Sequence, residues 1–271
     1  MTLQQGYRFA VAARFHLEAN WAARLRVGAG TEDAGGCFFP RGPWAEPTAS
    51  ELELLVAADA PALRLLNAPP GARAGENDPS AITLFQLPQH LRAAWWDLLE
   101  ASAGSGGPLR GFEAFAARVA ELLTFKRMNP PAGAPMEAVV TAAGERSIRR
   151  DPDTGAPTGL GPTVAAWAPL ADASAAPKLW GVVNLGDEDT SVVVLNVPLA
   201  AMAGAASPAP ATIGEAVGQF LRAFPNYPPV RLRLGPGEGV RVPATGLVLD
   251  GHPTDRADPD MLLLISDGAA R

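Results

Sequence analysis

Phe9, Val11, Ala13 and Phe15 recur at period two and share one face, which predicts one or two strands between Tyr7 and Val27. Residues 28–47 are broken up by glycine and proline and read as loop. Residues 51–66 are apolar but interrupted by Pro61, and 67–80 read as a polar loop containing Pro69-Pro70-Gly71. The period then lengthens. Pro88 suits a first helical turn, where its missing N–H costs nothing, and Leu91, Ala94, Trp95, Leu98 and Leu99 follow at i, i+3, i+4 spacing until Ser102 and the glycines at 104, 106 and 107. Phe112, Phe115, Ala116, Val119, Leu122 and Leu123 form a second stripe on residues 109–125. Two amphipathic helices of this kind are expected to cover a sheet, because strand-like runs dominate the rest of the chain.

Those runs begin at Met136. MEAVVTAA, TVAAW, KLWGVVNLG, TSVVVLNV, VRLRLG, GVRVP and MLLLIS are short, β-branched or apolar, and bounded by Gly, Pro or Asp. One helix interrupts them at 212–223. Thr212 and Glu215 have the spacing of a capping box, and Ile213, Ala216, Val217, Phe220 and Leu221 supply its buried face. Residues 203–211, rich in Ala and Pro, read as connection. Short strands in this number favour an antiparallel sandwich or barrel over alternating βαβ units. The fold class expected is α+β, as a single domain over 1–271. Residues 1–130 form an N-terminal α+β part that packs on a barrel spanning 131–271.

Composition narrows the chemistry. A formal charge of −6 and a pI near 5.1 disfavour nucleic acid and anionic membrane as partners. No stretch reaches the roughly 18 apolar residues of a membrane span, and the first twenty residues alternate where a secretory leader would be continuously apolar. A cytoplasmic location is the expectation. Cys37 is the one cysteine, so no internal disulfide and no multi-cysteine metal centre can form; beside Phe38 and Phe39 it reads as a buried structural thiol. The histidines are His16, His90 and His252. Neither GxGxxG, GKS/T, GxSxG nor HExxH occurs. Trp95 reads as core and Trp96 as an exposed contact residue.

The segment Pro236-Gly-Glu-Gly-Val-Arg-Val-Pro243-Ala-Thr-Gly246-Leu-Val-Leu249-Asp250-Gly251 has the layout of two strands joined by tight turns. It resembles the second cupin motif of double-stranded β-helix proteins. Gly161-Pro-Thr163-Val-Ala165-Ala-Trp167, Asn184-Leu-Gly186 and Phe224-Pro-Asn-Tyr-Pro228 extend the likeness. Together they resemble bacterial proteins related to the Fe(II)/2-oxoglutarate oxygenases, which carry G-L-H-x-D-x-W, N-L-G and F-P-x-Y-P in that order. The resemblance covers roughly residues 120–266 and implies a C-terminal jelly-roll barrel buttressed by N-terminal strands and central helices. Registered on Trp167, the family's first histidine falls on Thr163, its carboxylate on Ala165 and its distal histidine on Leu249. A 2-His-1-carboxylate iron site needs three facial ligands, and threonine, alanine and leucine do not supply them. No metal and no cofactor is therefore expected.

Other residues are candidates for a rebuilt site. Asp250, His252 and Asp255 crowd the expected barrel rim, where Asp250 and His252 would act as an acid–base pair; the same Asp-Gly-His-Pro stretch also reads as a polar surface turn. Arg231 and Arg233 alternate onto one face. If they point inward with Arg241 and Arg256 they would hold a carboxylate, sulfate or phosphate; if outward they are solvated charges. Arg256 falls where the resembled sequences carry a basic residue, which implies a remnant of co-substrate anchoring. Asn184 and Thr163 would add neutral hydrogen bonds, with Trp167 lining the same space. Two functions are compatible with this set. One is metal-independent chemistry on, or binding of, a small polar or anionic molecule. The other is a non-catalytic pseudo-oxygenase that serves as a scaffold or partner subunit in a homo- or hetero-oligomer.

Overall fold

The computed structural model describes residues 3, 6–12, 21–56, 81–102, 109–126, 128, 130–150, 154–172, 178–243, 246–251 and 259–267. The chain is mixed α+β and mostly sheet. Its strands are β1 (Arg8–Val11), β2 (Leu25–Val27), β3 (Gly30–Ala34), β4 (Cys37–Arg41), β5 (Ala81–Gln86), β6 (Met136–Thr141) and β7 (Gly161–Pro162). They continue with β8 (Lys178–Asn184), β9 (Thr190–Leu195), β10 (Val230–Leu234), β11 (Glu238–Arg241), β12 (Val248–Gly251) and β13 (Asp260–Asp267). Helices α1 (Ala49–Leu55), α2 (Gln89–Ser102), α3 (Phe112–Phe125), α4 (Leu199–Ala205) and α5 (Ile213–Ala223) lie between them.

The strands form separate sheets that do not close on one another. A large sheet runs β1-β5-β11-β8-β13-β6, a small one β2-β10-β9-β12-β7, and β3-β4 is a hairpin. The last eight strands pair in a nested way: β9 with β10, β8 with β11, β7 with β12 and β6 with β13, all antiparallel. Two N-terminal strands extend these sheets, with β5 beside β11 and β2 beside β10, and β1 then adds to β5 in parallel.

Register decides which side chains meet. Leu84, Val240, Val182 and Leu264 form one row across the large sheet. Val27, Val230, Val194 and Leu249 form one across the small sheet. All except the partly buried Leu264 are buried in one continuous apolar cluster, which locates the core between the sheets. The other face of the large sheet presents Phe85, Val183, Leu263 and Ile265 to Leu91, Trp95 and Leu98 of α2 and to Phe115, Val119 and Leu123 of α3. These helices cover a sheet, as their stripes predict. Burying a leucine- or phenylalanine-sized side chain contributes about 1.5–3 kcal/mol, so this second cluster holds the helices firmly.

Three stretches differ from the sequence reading. Residues 28–47, expected as loop, contain the β3–β4 hairpin. Its turn is Gly35-Gly36, both at positive φ, 71° and 94°, which a two-residue hairpin turn requires. Residues 163–167, expected as strand, keep only isolated strand-like contacts, from Thr163 to Leu247 and Leu179 and from Val164 to Lys178, before a turn at 166–167 in which Ala168 N–H closes onto the Ala165 carbonyl. Part of the stretch expected as connection at 203–211 belongs to α4, an alanine-rich helix that starts directly after Pro198. Ala13, Phe15 and residues 57–80 lie outside the described residues.

Candidate functional site

Of the positions matched by resemblance to oxygenase ligands, Leu249 and Thr163 stand on adjoining segments of β12 and the end of β7, and none of the three carries a ligand group suited to iron. Leu249 pairs opposite Gly161, points into the space between the sheets, and is 1% exposed. Thr163 is buried, and its hydroxyl already accepts the Leu247 N–H at 2.8 Å. Its backbone N–H donates to the Leu247 carbonyl, and its carbonyl accepts from Leu179, so Thr163 joins β8 to the approach of β12. Ala165 contributes a methyl group packed on the same core. One bound hydroxyl and two hydrocarbon groups do not fit Fe(II), which requires nitrogen and carboxylate donors in a facial set.

A polar cluster adjoins this position. Asp250 is fully buried on β12. Its Oδ1 accepts from the Ser147 hydroxyl at 2.9 Å, the Ile148 N–H at 3.1 Å and the Gly251 N–H at 2.8 Å, while Oδ2 has no hydrogen-bond partner. Burial pushes the Asp250 carboxyl up to about 7, against the opposing pull of those donors and of the Arg149 charge. The Arg149 guanidinium lies against Gly161, where a Cβ would come within 2.9 Å of it, and donates from Nη1 to the Pro162 carbonyl at 3.0 Å. Its Nε is buried without a partner, and burial lowers the Arg149 pKa even though the Asp250 charge raises it. Ser147 Oγ also receives the N–H groups of Arg149 and Gly159. The cluster therefore staples residues 147–149, from the connection between β6 and β7, onto β12. Ser147 and Asp250 have 0% exposure, so neither presents an atom to a substrate.

The predicted arginines do not converge. Arg231 and Arg233 face away from the core on the small sheet; Arg231 lies opposite Arg26 and over the Trp44 ring at 4.7 Å, and Arg233 pairs with Asp189 at 2.9 Å. Arg241 is on the outward face of the other sheet and donates to Thr83 Oγ1 at 3.2 Å. Asn184 ties the β8–β9 connection to the end of β10, donating to the Glu188 and Leu234 carbonyls and accepting from Gly186 N–H. Beside it Arg24 pairs with Glu238 at 2.5 Å, and Thr190 Oγ1 donates to Asp260 at 2.5 Å. Trp167, expected to face the interior, is 64% exposed because the 165–168 turn swings it outward. His16, His252, Asp255 and Arg256 lie outside the described residues, and His90 is an exposed residue of α2.

An open cleft of about 340 Å³ lies on the outer side of the small sheet, between α5 and the β3–β4 hairpin. Phe38, Leu160, Pro162 and Val217 give it apolar walls, while Glu215, Gln219 and Arg222 of α5 supply its polar groups. The capping box at Thr212 and Glu215 is formed in both directions and fixes the start of that helix. Ser147, Arg149, Gln219 and Arg222 belong to no motif, and only the helical spacing of Gln219 and Arg222 hinted that they share a side of α5. No family model matches the chain, and neither a curated protein nor a solved structure matches it.

Proposed function

We propose that the chain is a divergent, oxygenase-like jelly-roll protein whose interior has passed from metal chemistry to packing, and that it acts by binding rather than by turnover. The nested pairing of the last eight strands supports the jelly-roll reading: β9–β10 is the inner pair, joined through α4 and α5, and β8–β11, β7–β12 and β6–β13 wind around it in alternate sheets. The observation that carries the functional reading is Leu249. It occupies the distal histidine position, points inward, and joins Val194, Val182, Val240 and Leu262 in a core of fully buried apolar side chains. Close-packed interiors of this kind hold few voids larger than a water molecule. The raised carboxyl of Asp250 does not favour an enzyme, because the group is sealed beneath its own hydrogen bonds.

Its partners on this reading are a small polar or anionic molecule or another protein subunit, in a cytoplasmic setting. No helix among the described residues is long and apolar enough to cross a membrane. The test is anaerobic loading with Fe(II) and 2-oxoglutarate, followed by metal analysis and a succinate assay on admission of oxygen. Substoichiometric, easily dialysed iron and no succinate are expected. One tightly held iron per chain with succinate formation would overturn the proposal.

A further inference from the structure

Three features of the α5 cleft lack an explanation in the fold. The first is Gly218, in the middle of α5. Glycine there weakens the helix relative to alanine, yet the nearest atoms a Cβ would meet are Arg222 Nη1 at 3.7 Å, Arg222 Nη2 at 3.9 Å and a Phe38 ring carbon at 3.9 Å. Those are ordinary contacts, so packing does not demand the glycine. What it does is keep the cleft wall free of side chain. Gly214 differs, because its neighbour Ala166 leaves little room for a methyl group.

The second feature is Gln219. Its side chain lines the cleft, and its Oε1 is sealed from solvent without a hydrogen-bond partner. A buried acceptor left unpaired is costly and is ordinarily satisfied by a donor from elsewhere. The third is Arg222, which is 58% exposed, paired loosely with Asp33 with Nε 3.6 Å from Oδ2, and set over the Phe38 ring at 5.6 Å. Along α5, Glu215 and Arg222 are seven residues apart, about 10.5 Å. The cleft thus has acceptors at one end and in its middle, a guanidinium at the other end, and hydrocarbon between.

We propose that this cleft binds a small, flat, largely apolar molecule with one anionic group and, at its far end, one hydrogen-bond donor: an aromatic hydroxy- or amino-acid of one or two rings. The anion pairs with Arg222, the ring lies against Phe38, Leu160, Pro162 and Val217, and the donor meets Gln219 Oε1 as that side chain turns from its sealed position into the cleft it lines; Glu215 stays committed to the cap of α5. A cleft of 340 Å³ is in the size range of small-molecule sites. It opens on the outer face of the small sheet, so it does not depend on how the interior is read.

Titration of the full chain with 6-hydroxy-2-naphthoate, followed by the fluorescence of the naphthol, is the test. Saturable one-to-one binding below about 1 mM is expected. Gly218→Leu, which fills the cleft, abolishes that binding while thermal unfolding shows a folded protein. Arg222→Gln weakens it about tenfold through loss of a charge-assisted contact. Gln219→Leu lowers the affinity to that of 2-naphthoate, which lacks the donor. If Gly218→Leu fails to fold, the Arg222 and Gln219 variants carry the test alone. No saturable binding, or binding that all three variants leave unchanged, overturns the site. Loss with Gly218→Leu but not with Arg222→Gln overturns the anionic assignment.

Discussion

Asp250→Asn isolates the one strongly perturbed acid among the described residues. The carboxyl titrates near 3.8 when unfolded and is pushed up to about 7 in the fold. Because the folded pKa is the higher one, the native state keeps its proton over a range where the unfolded chain has lost it. The group therefore costs nothing below about pH 4, destabilises progressively as pH rises, and levels off above pH 7. About three decades at about 1.36 kcal/mol each give a full span of about 4 kcal/mol, of which about 2.5 falls between pH 5 and pH 8. Asparagine preserves the acceptor for Ser147, Ile148 and Gly251 but cannot ionise. Urea unfolding of both proteins at several pH values, with the difference in stability plotted against pH, removes the contribution of every other group. The variant is expected to gain on the wild type by about 2.5 kcal/mol from pH 5 to pH 8. A flat difference would show that the carboxyl titrates normally, through solvent access or a close pairing with Arg149, and the sealed cluster would be wrong.

Four further outcomes follow from the same structure. Leu249→Ala is expected to lose about 2–5 kcal/mol in urea unfolding, the range for a buried leucine with a residual cavity. Leu249→His should lose about 1–3 kcal/mol from an unpartnered imidazole and gain no iron by metal analysis. Thr212→Ala breaks a complete capping box and should cost about 1 kcal/mol, with amide hydrogen exchange rising first in the opening turn of α5. Glu238→Gln should cost about 1–3 kcal/mol in thermal or urea unfolding, because it replaces the charged acceptor that Arg24 Nη1 and the Gly235 N–H share with a neutral one.

The stripes of α2, α3 and α5 were legible because one face of each is buried, and apart from Ser102 their buried residues are among those the spacing marks out. Strands β8, β9 and β13 were legible for another reason: both of their faces are buried, so they read as apolar runs bounded by turn residues, whereas β10 alternates. The β3–β4 hairpin escaped because Glu32, Asp33 and Ala34 leave it with a solvent face and no apolar alternation, so only Gly35-Gly36 signalled it. Helix α4 escaped because an alanine-rich stretch beside prolines has no clear period. The candidate site was less legible. Position 249 could be read from its place in a motif, whereas Ser147 and Arg149 reach Asp250 across about a hundred residues, through contacts with no sequence spacing to betray them. The arginines alternate as expected, but alternation cannot reveal that Arg231 and Arg241 stand on different sheets.

Whether the space around Leu249 between the sheets is packed shut is read out by thiol labelling of Leu249→Cys in a Cys37→Ser background. Reaction with iodoacetamide is followed by mass spectrometry in native buffer and in urea. Position 249 is 1% exposed in the core, so labelling must wait for opening of the sheets, and native protection on the order of a thousandfold or more is expected. Labelling in native buffer at a rate close to that of the unfolded chain would contradict it, because it would mean that small molecules enter the space between the sheets.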